Sequence, residues 1–216
     1  MRRTIGRHMV KSLQVAAQTT TVIEADMTAI EVARRQVGIT GLAFSARAAV
    51  ETLAEFPHMN ATLDDDALTT HDGVNLGIAV SLGDDGLVVP VIHDAHQLDT
   101  TALAAAIVSV AERARAHKLT LDDVEGGTFT ISNTGAFGSL INTPIINQPQ
   151  VAILNTEAVV RRPVVVTDDD GERIAIRSVA NLCLTWDHRV IDGAMAAQFL
   201  QALRRRLEAV QEQIPA

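Results

Sequence analysis

The chain has 216 residues, 26 acidic against 18 basic side chains for a formal charge of −8, and a 47% hydrophobic content. This is the composition of a folded globular protein, and it lacks the concentrated basic surface with which a nucleic-acid binder displaces counterions. A single cysteine, Cys183, excludes an intramolecular disulfide and a cysteine metal cluster. No apolar run approaches the ~20 residues that span a bilayer. The N-terminus has no signal-peptide pattern, so the chain reads as intracellular, or as a domain of a longer intracellular protein.

In chain order, residues 4–18 read as a helix with Ile5, Met9, Leu13 and Ala16 or Ala17 on one face. A Thr/Val-rich strand follows from Thr19 to Ala25, then a short helix over 28–35 that Gly38 ends. The spacing of Leu42, Ala46, Ala49, Val50 and Leu53 predicts a helix over 42–55, stopped by Pro57. Four β-type runs come next, at about 60–63, 67–71, 74–82 and 87–92. Leu103, Ile107, Val110 and Ala114 mark a helix over 100–116, and Thr120 with Asp123 resembles a helix-starting capping box. Strands are expected at 128–132, 151–160 and 173–186, the last two joined through an Asp168–Gly171 turn. A final helix over 193–211 carries Ala196, Phe199, Leu200, Leu203, Leu207 and Val210 at 3/4 spacing. No linker or repeat divides the chain. The expectation is one mixed α/β domain over 1–216, helices packed on a large sheet.

Two segments could carry chemistry. Thr185-Trp186-Asp187-His188-Arg189-Val190-Ile191-Asp192-Gly193 lies between the longest strand and the last helix, where backbone is exposed yet rigidly held. Local chemistry fits either a reactive loop or a structural knot built on an Asp187–Arg189 ion pair, because buried polar groups must satisfy one another. The second segment runs Thr128-Phe129-Thr130-Ile131-Ser132-Asn133-Thr134-Gly135. A strand ending in Ser-Asn-x-Gly can hold a hydroxyl beside a close-approaching backbone, as oxyanion stabilisation needs, and it is equally an ordinary strand-end turn. Cys183 in Leu182-Cys183-Leu184 reads as a small buried strand residue. The other histidines form no ligand-spaced set, and the runs Asp64–Asp66 and Asp168–Gly171 lack EF-hand spacing, so no metal is expected.

Together the two segments resemble the dihydrolipoamide acyltransferase catalytic domain of 2-oxo acid dehydrogenase complexes. Asp-His-Arg-x-x-Asp-Gly at 187–193 is that family's signature, with Phe-Thr-Ile-Ser-Asn-x-Gly upstream. Arg2 to Ser12, Gly86 to Val91 and Thr143 to Asn147 also match, so the resemblance spans nearly the whole chain. It implies the chloramphenicol acetyltransferase fold and a homotrimer, extending in some members to a cubic or dodecahedral core, in the bacterial cytoplasm. It implies coenzyme A as a substrate and a lipoyl group carried on a separate domain, together with the other components of such a complex. In that scheme His188 is the general base, Ser132 from a neighbouring subunit donates to the oxyanion, and Asp192 organises the site. Asn133, Asn155 and Leu82 are placed along the coenzyme A channel.

The chain departs from the family at three places. The connection between Met27 and Leu42 is short, Leu82-Gly83 stands where a polar residue and Thr are usual, and Asn155 follows Leu154 where Gly is usual. The acyl group is expected to be acetyl, with succinyl next. The alternatives are a trimeric scaffold of weak activity, or an acetyltransferase of the same fold acting on a free small molecule.

Overall fold

The computed structural model describes residues 2–168 and 171–210. The five helices are α1 (Arg2–Val15), α2 (Thr28–Val37), α3 (Gly41–Leu53), α4 (Thr100–Arg115) and α5 (Gly193–Glu208). The strands are β1 (Gln18–Asp26), β2 (Ala61–Asp64), β3 (Ala67–Thr70), β4 (Leu76–Ile78), β5 (Val80–Ser81) and β6 (Leu87–Val88). They continue with β7 (Val91–Ile92), β8 (Phe129–Asn133), β9 (Ala152–Thr156), β10 (Val160–Asp168) and β11 (Gly171–Asp187).

One seven-stranded sheet runs β1-β11-β9-β8-β4-β7, with β10 paired to β11 off this path. β9, β8 and β4 are mutually parallel and the other pairs antiparallel, which makes the sheet mixed. Pairs β2-β3 and β5-β6 form two small separate sheets. The 17-residue β11 changes partners along its length. Its first half pairs with β10, and its second half with β1 and β9.

Directly paired residues project to the same side of a sheet, and the two sides here differ in chemistry. Ile131, Leu154, Leu184 and Trp186 belong to the apolar core with α3 and α5. The opposite side carries Thr130, Ser132, Asn155, Cys183 and Thr185. An irregular stretch over 139–150 lies across it, Asn181 donating to the Leu140 carbonyl and Thr130 to the Gln150 amide oxygen.

With only 3% aromatics, small residues close the core. Helix α3 is buried on nearly every side, through Ala43, Ala46, Ala48 and Ala49 among others, as a helix apolar around its circumference must be. Phe199 of α5 packs between Phe56 and Phe129, at centroid distances of 5.7 and 6.2 Å. Gly38 ends α2 in the left-handed region (φ 72°), as its position predicts. No helix among the described residues is long and apolar enough to cross a membrane.

Five expectations need correction. Leu13 of α1 is 55% exposed, and the buried residue of that helix is Ser12, whose hydroxyl donates to the Ile146 carbonyl at 2.7 Å. Helix α1 is therefore held partly along a polar edge, while Ile5 and Met9 of its apolar stripe are half-buried and Ala16 just beyond it is buried. The run 74–82 divides between two sheets, β4 in the main one and β5 with β6, because Ile78 N–H turns to the Pro90 carbonyl and Ala79 N–H to Ile131. The run 87–92 divides likewise at Pro90, which has no N–H to give a ladder. Thr120 and Asp123 do bond reciprocally, but they close only a 3-10 turn over Asp122–Val124, since Gly126-Gly127 follows at once. The run 151–160 breaks after Thr156, where Ala158 N–H leaves the ladder for the Ser139 carbonyl. The Asp169-Asp170 part of the expected hairpin turn and the tail from 211 lie outside the described residues.

Candidate active site

His188 follows the last residue of β11 and is exposed. Its N–H donates to the Ala17 carbonyl at 2.9 Å, and its ring lies 4.8 Å from that of Trp186. The loop is rigid because of Asp187, which is 1% exposed. Its carboxylate accepts the N–H groups of Ala17 (3.2 Å) and Arg189 (3.0 Å) and a forked guanidinium bond from Arg189, the shortest contact 2.6 Å. That carboxylate raises the Arg189 pKa, chiefly through the hydrogen bond. Besides the carboxylate, the Asp187 backbone carbonyl accepts the Val190 and Ile191 N–H groups. The ion-pair knot is thus present, and it presents His188 outward instead of competing with it.

Asp192 is the N-cap of α5. Its carboxylate accepts from Met195 N–H at 2.8 Å, satisfying a donor that a helix start leaves open. His188 is therefore fixed on one side by a strand end and on the other by a capped helix.

Ser132 sits near the end of β8, half-buried, on the polar side of the sheet. The register sets it level with Asn155 on β9 and Cys183 on β11, whereas His188 lies five residues beyond Cys183. At ~4.8 Å per strand and ~3.3 Å per residue, the two positions are roughly 19 Å apart. A single chain does not bring Ser132 and His188 together.

The three residues expected along the coenzyme A channel also separate. Leu82 lies in the β5-β6 hairpin, half-buried, its N–H on the Gly86 carbonyl. Asn133 takes the opposite side of the sheet from Ser132 and lines a cleft of about 350 Å³, with Met27, Arg34, Gly41 and Thr156. The α2–α3 connection borders that cleft through Thr40. Asn155 is completely buried. Its amide donates to Thr134 (2.8 Å) and to Glu157, and its carbonyl oxygen has no partner in the chain. Glu157 is the residue sequence reasoning missed, and no periodic signal marks it; Thr134 lies within the Ser-Asn-x-Gly segment, whose pattern assigns it no role of its own. A wider cleft of about 770 Å³ lies elsewhere, between the β10-β11 arm and α5.

Cys183 is buried, and burial pushes its thiol above the ordinary value, with a further upward push from Glu157. It is the inert strand residue its setting predicts. Among the described residues no group of three or more His, Cys, Asp or Glu side chains could hold a metal.

Two outcomes follow for this loop. Asp187→Ala should cost about 2–4 kcal/mol in a denaturant melt, since two N–H groups lose their acceptor while Arg189 can still reach water. Asp192→Ala should cost about 1 kcal/mol and Asp192→Asn only a few tenths, because Asn caps as well as Asp. Equal losses for the two Asp192 variants would show that the cap is not what this carboxylate supplies.

The family described as 2-oxoacid dehydrogenases acyltransferase (catalytic domain) matches residues 1–214. The acetyltransferase component of the pyruvate dehydrogenase complex of Corynebacterium glutamicum is 44% identical over 92% of this chain and 31% of its own length. The succinyltransferase component of the 2-oxoglutarate dehydrogenase complex of Bacillus subtilis is 39% identical over 96% of this chain and 51% of its own. The chain therefore spans about a third to a half of these curated relatives. A probable dihydrolipoamide acetyltransferase from Listeria monocytogenes superposes with a TM-score of 0.90 at 38% identity, covering 100% of this chain and 94% of that one. The acetyltransferase of Azotobacter vinelandii, solved in a study of the role of a serine, a histidine and an asparagine in its catalytic mechanism, gives 0.88 at 34% identity over 97% and 89%. The cubic core of a pyruvate dehydrogenase multienzyme complex gives 0.87 at 33% over 98% and 89%. Chloramphenicol acetyltransferase shares the fold alone, with a TM-score of 0.64 at 14% identity over 93% and 94%. The chain belongs to the family of 2-oxoacid dehydrogenase acyltransferase catalytic domains.

Proposed function

We propose that this domain transfers an acyl group between coenzyme A and dihydrolipoamide, with His188 as general base. The observation that carries the reading is the rigid, outward presentation of His188 at the strand-to-helix junction, within a chain that matches the family almost end to end. His188 takes the proton of the attacking thiol, and the thiolate adds to the thioester carbonyl. The Ser132 hydroxyl donates to the oxygen on which charge develops. Collapse expels the other thiolate, which recovers the proton from His188, so no acyl-enzyme forms. Asp192 holds the loop through its cap. In the Azotobacter relative the asparagine studied for its role in the catalytic mechanism stands four positions after the histidine, as Asp192 does after His188, which supports a part for this position in the reaction.

The separation of His188 from Ser132 supports a site shared between subunits. The assembly proposed is a homotrimer, with each site formed by His188 of one chain and Ser132 of the next. Joining into a cubic core, as in the multienzyme-complex relative, is part of the proposal, as are a cytoplasmic setting and a lipoyl group delivered by a separate domain. Acetyl is the acyl group favoured, on the resemblance of the 159–187 hairpin and strand to acetyl-transferring members, with succinyl second.

Acyl transfer from acetyl-, succinyl- and branched-acyl-coenzyme A to dihydrolipoamide tests these points. His188→Ala should lose at least ~100-fold in turnover, and Ser132→Ala about 10- to 1000-fold without loss of assembly. Wild-type protein inactive with every donor would instead favour a scaffold.

A further inference from the structure

Ser132 stands one residue from the end of β8. Beyond Asn133 the ladder gives no more bonds, and the chain turns sharply through Thr134 and the 3-10 turn Gly135–Phe137. A hydroxyl serves an oxyanion only where its backbone is held to about 0.5 Å, so something outside the ladder must fix this turn.

Glu157 meets that need. It is 3% exposed and follows the last residue of β9. One carboxyl oxygen accepts the Thr134 hydroxyl at 2.9 Å; the other accepts the Asn155 amide and, at 3.7 Å, the Cys183 thiol. The same Asn155 amide donates to the Thr134 hydroxyl oxygen at 2.8 Å. Thr134, Glu157 and Asn155 therefore close a ring of hydrogen bonds, and Asn155 is the register partner of Ser132. The turn is also seated directly on Glu157: a Cβ added at Gly135 would lie 2.2 Å from the Glu157 carbonyl carbon. Glu157 is itself anchored to β11 by its N–H on the Asn181 carbonyl at 3.1 Å. All the side-chain donors on this carboxyl group are neutral, which suits a role in fixing geometry, since a buried polar group is stable only when such bonds are made.

We infer that Glu157 is a positioning residue for the transfer reaction, holding the Ser132 turn in place through Thr134 and Asn155. The inference rests on the role proposed for Ser132. Its test is a mutant cycle in acetyl-coenzyme A to dihydrolipoamide transfer, with thermal melts on every variant. Glu157→Ala should lower kcat about 10- to 100-fold, with KM for both substrates within about 3-fold. Glu157→Gln should recover most of the loss, because Asn155 can turn its unpartnered carbonyl to the new amide. Thr134→Val, a small change that keeps Glu157, should cost about 3- to 10-fold in kcat and serves if Glu157→Ala fails to fold. In the Ser132→Ala background, Glu157→Ala should cost less than about 3-fold more, since residues acting through one group are not additive. An undiminished loss in that background, or full kcat for folded Glu157→Ala and Thr134→Val, overturns the inference while leaving Ser132 its role. Wild-type protein without transfer, or Ser132→Ala at full kcat, removes the role of Ser132 and the inference with it.

Discussion

The carboxylate of Asp187 is the constraint on which the rest depends. A charge buried to this degree is costly unless its lone pairs are filled, and here two backbone N–H groups and a forked guanidinium fill them. Those partners come from different places: Ala17 from the α1–β1 junction, Arg189 from the loop beyond β11. One carboxylate thereby ties the start of the sheet's edge strand to the end of its longest strand. With that tie made, His188 can only project outward, its N–H spent on Ala17 and its ring against Trp186.

The length of β11 then shapes the chemistry. It carries His188 past the level at which Ser132 and Asn155 sit, so His188 and Ser132 occupy separate regions of one chain. The polar side of the sheet holds groups that the chain only partly satisfies; Asn155 keeps a buried carbonyl oxygen without a partner. Val10 and Leu13 of α1, and Val165, Ile174 and Ile176 of the β10-β11 arm, are large apolar side chains left exposed by the single chain. A site divided between subunits couples activity to assembly, because only a neighbouring chain completes it.

Much of this was legible in the sequence, for physical reasons that differ by element. The 3/4 spacing of α5 marked Ala196, Phe199, Leu200, Leu203 and Leu207 correctly, since one face of that helix meets the core directly. Gly38 and Pro57 punctuate the chain by backbone geometry alone, which needs no tertiary context. In helix α1 periodicity reports an apolar face without saying how much of it the same chain covers: Leu13 is exposed while Ala16 is buried. The breaks at Ala79 and Glu157 depend on carbonyls distant in sequence, which no local window contains, whereas the break at Pro90 is local, set by its missing N–H. Among the site residues, His188 and Ser132 stood out by motif, whereas Asn133 and Asn155 were assigned to one channel and lie on opposite sides of the sheet. Glu157 gave no signal, because its importance comes from Thr134, 23 residues earlier.

The central claim, that His188 and Ser132 act together only across a subunit boundary, is tested most directly by complementation. His188→Ala and Ser132→Ala proteins, each impaired on its own, are unfolded together, refolded as mixed trimers and assayed for acetyl transfer to dihydrolipoamide. Random mixing gives about a quarter of the interfaces an intact His188 facing an intact Ser132, so activity should return to roughly that fraction of refolded wild type. Mixed trimers no more active than the two parents would place both groups in one chain's site and contradict the account.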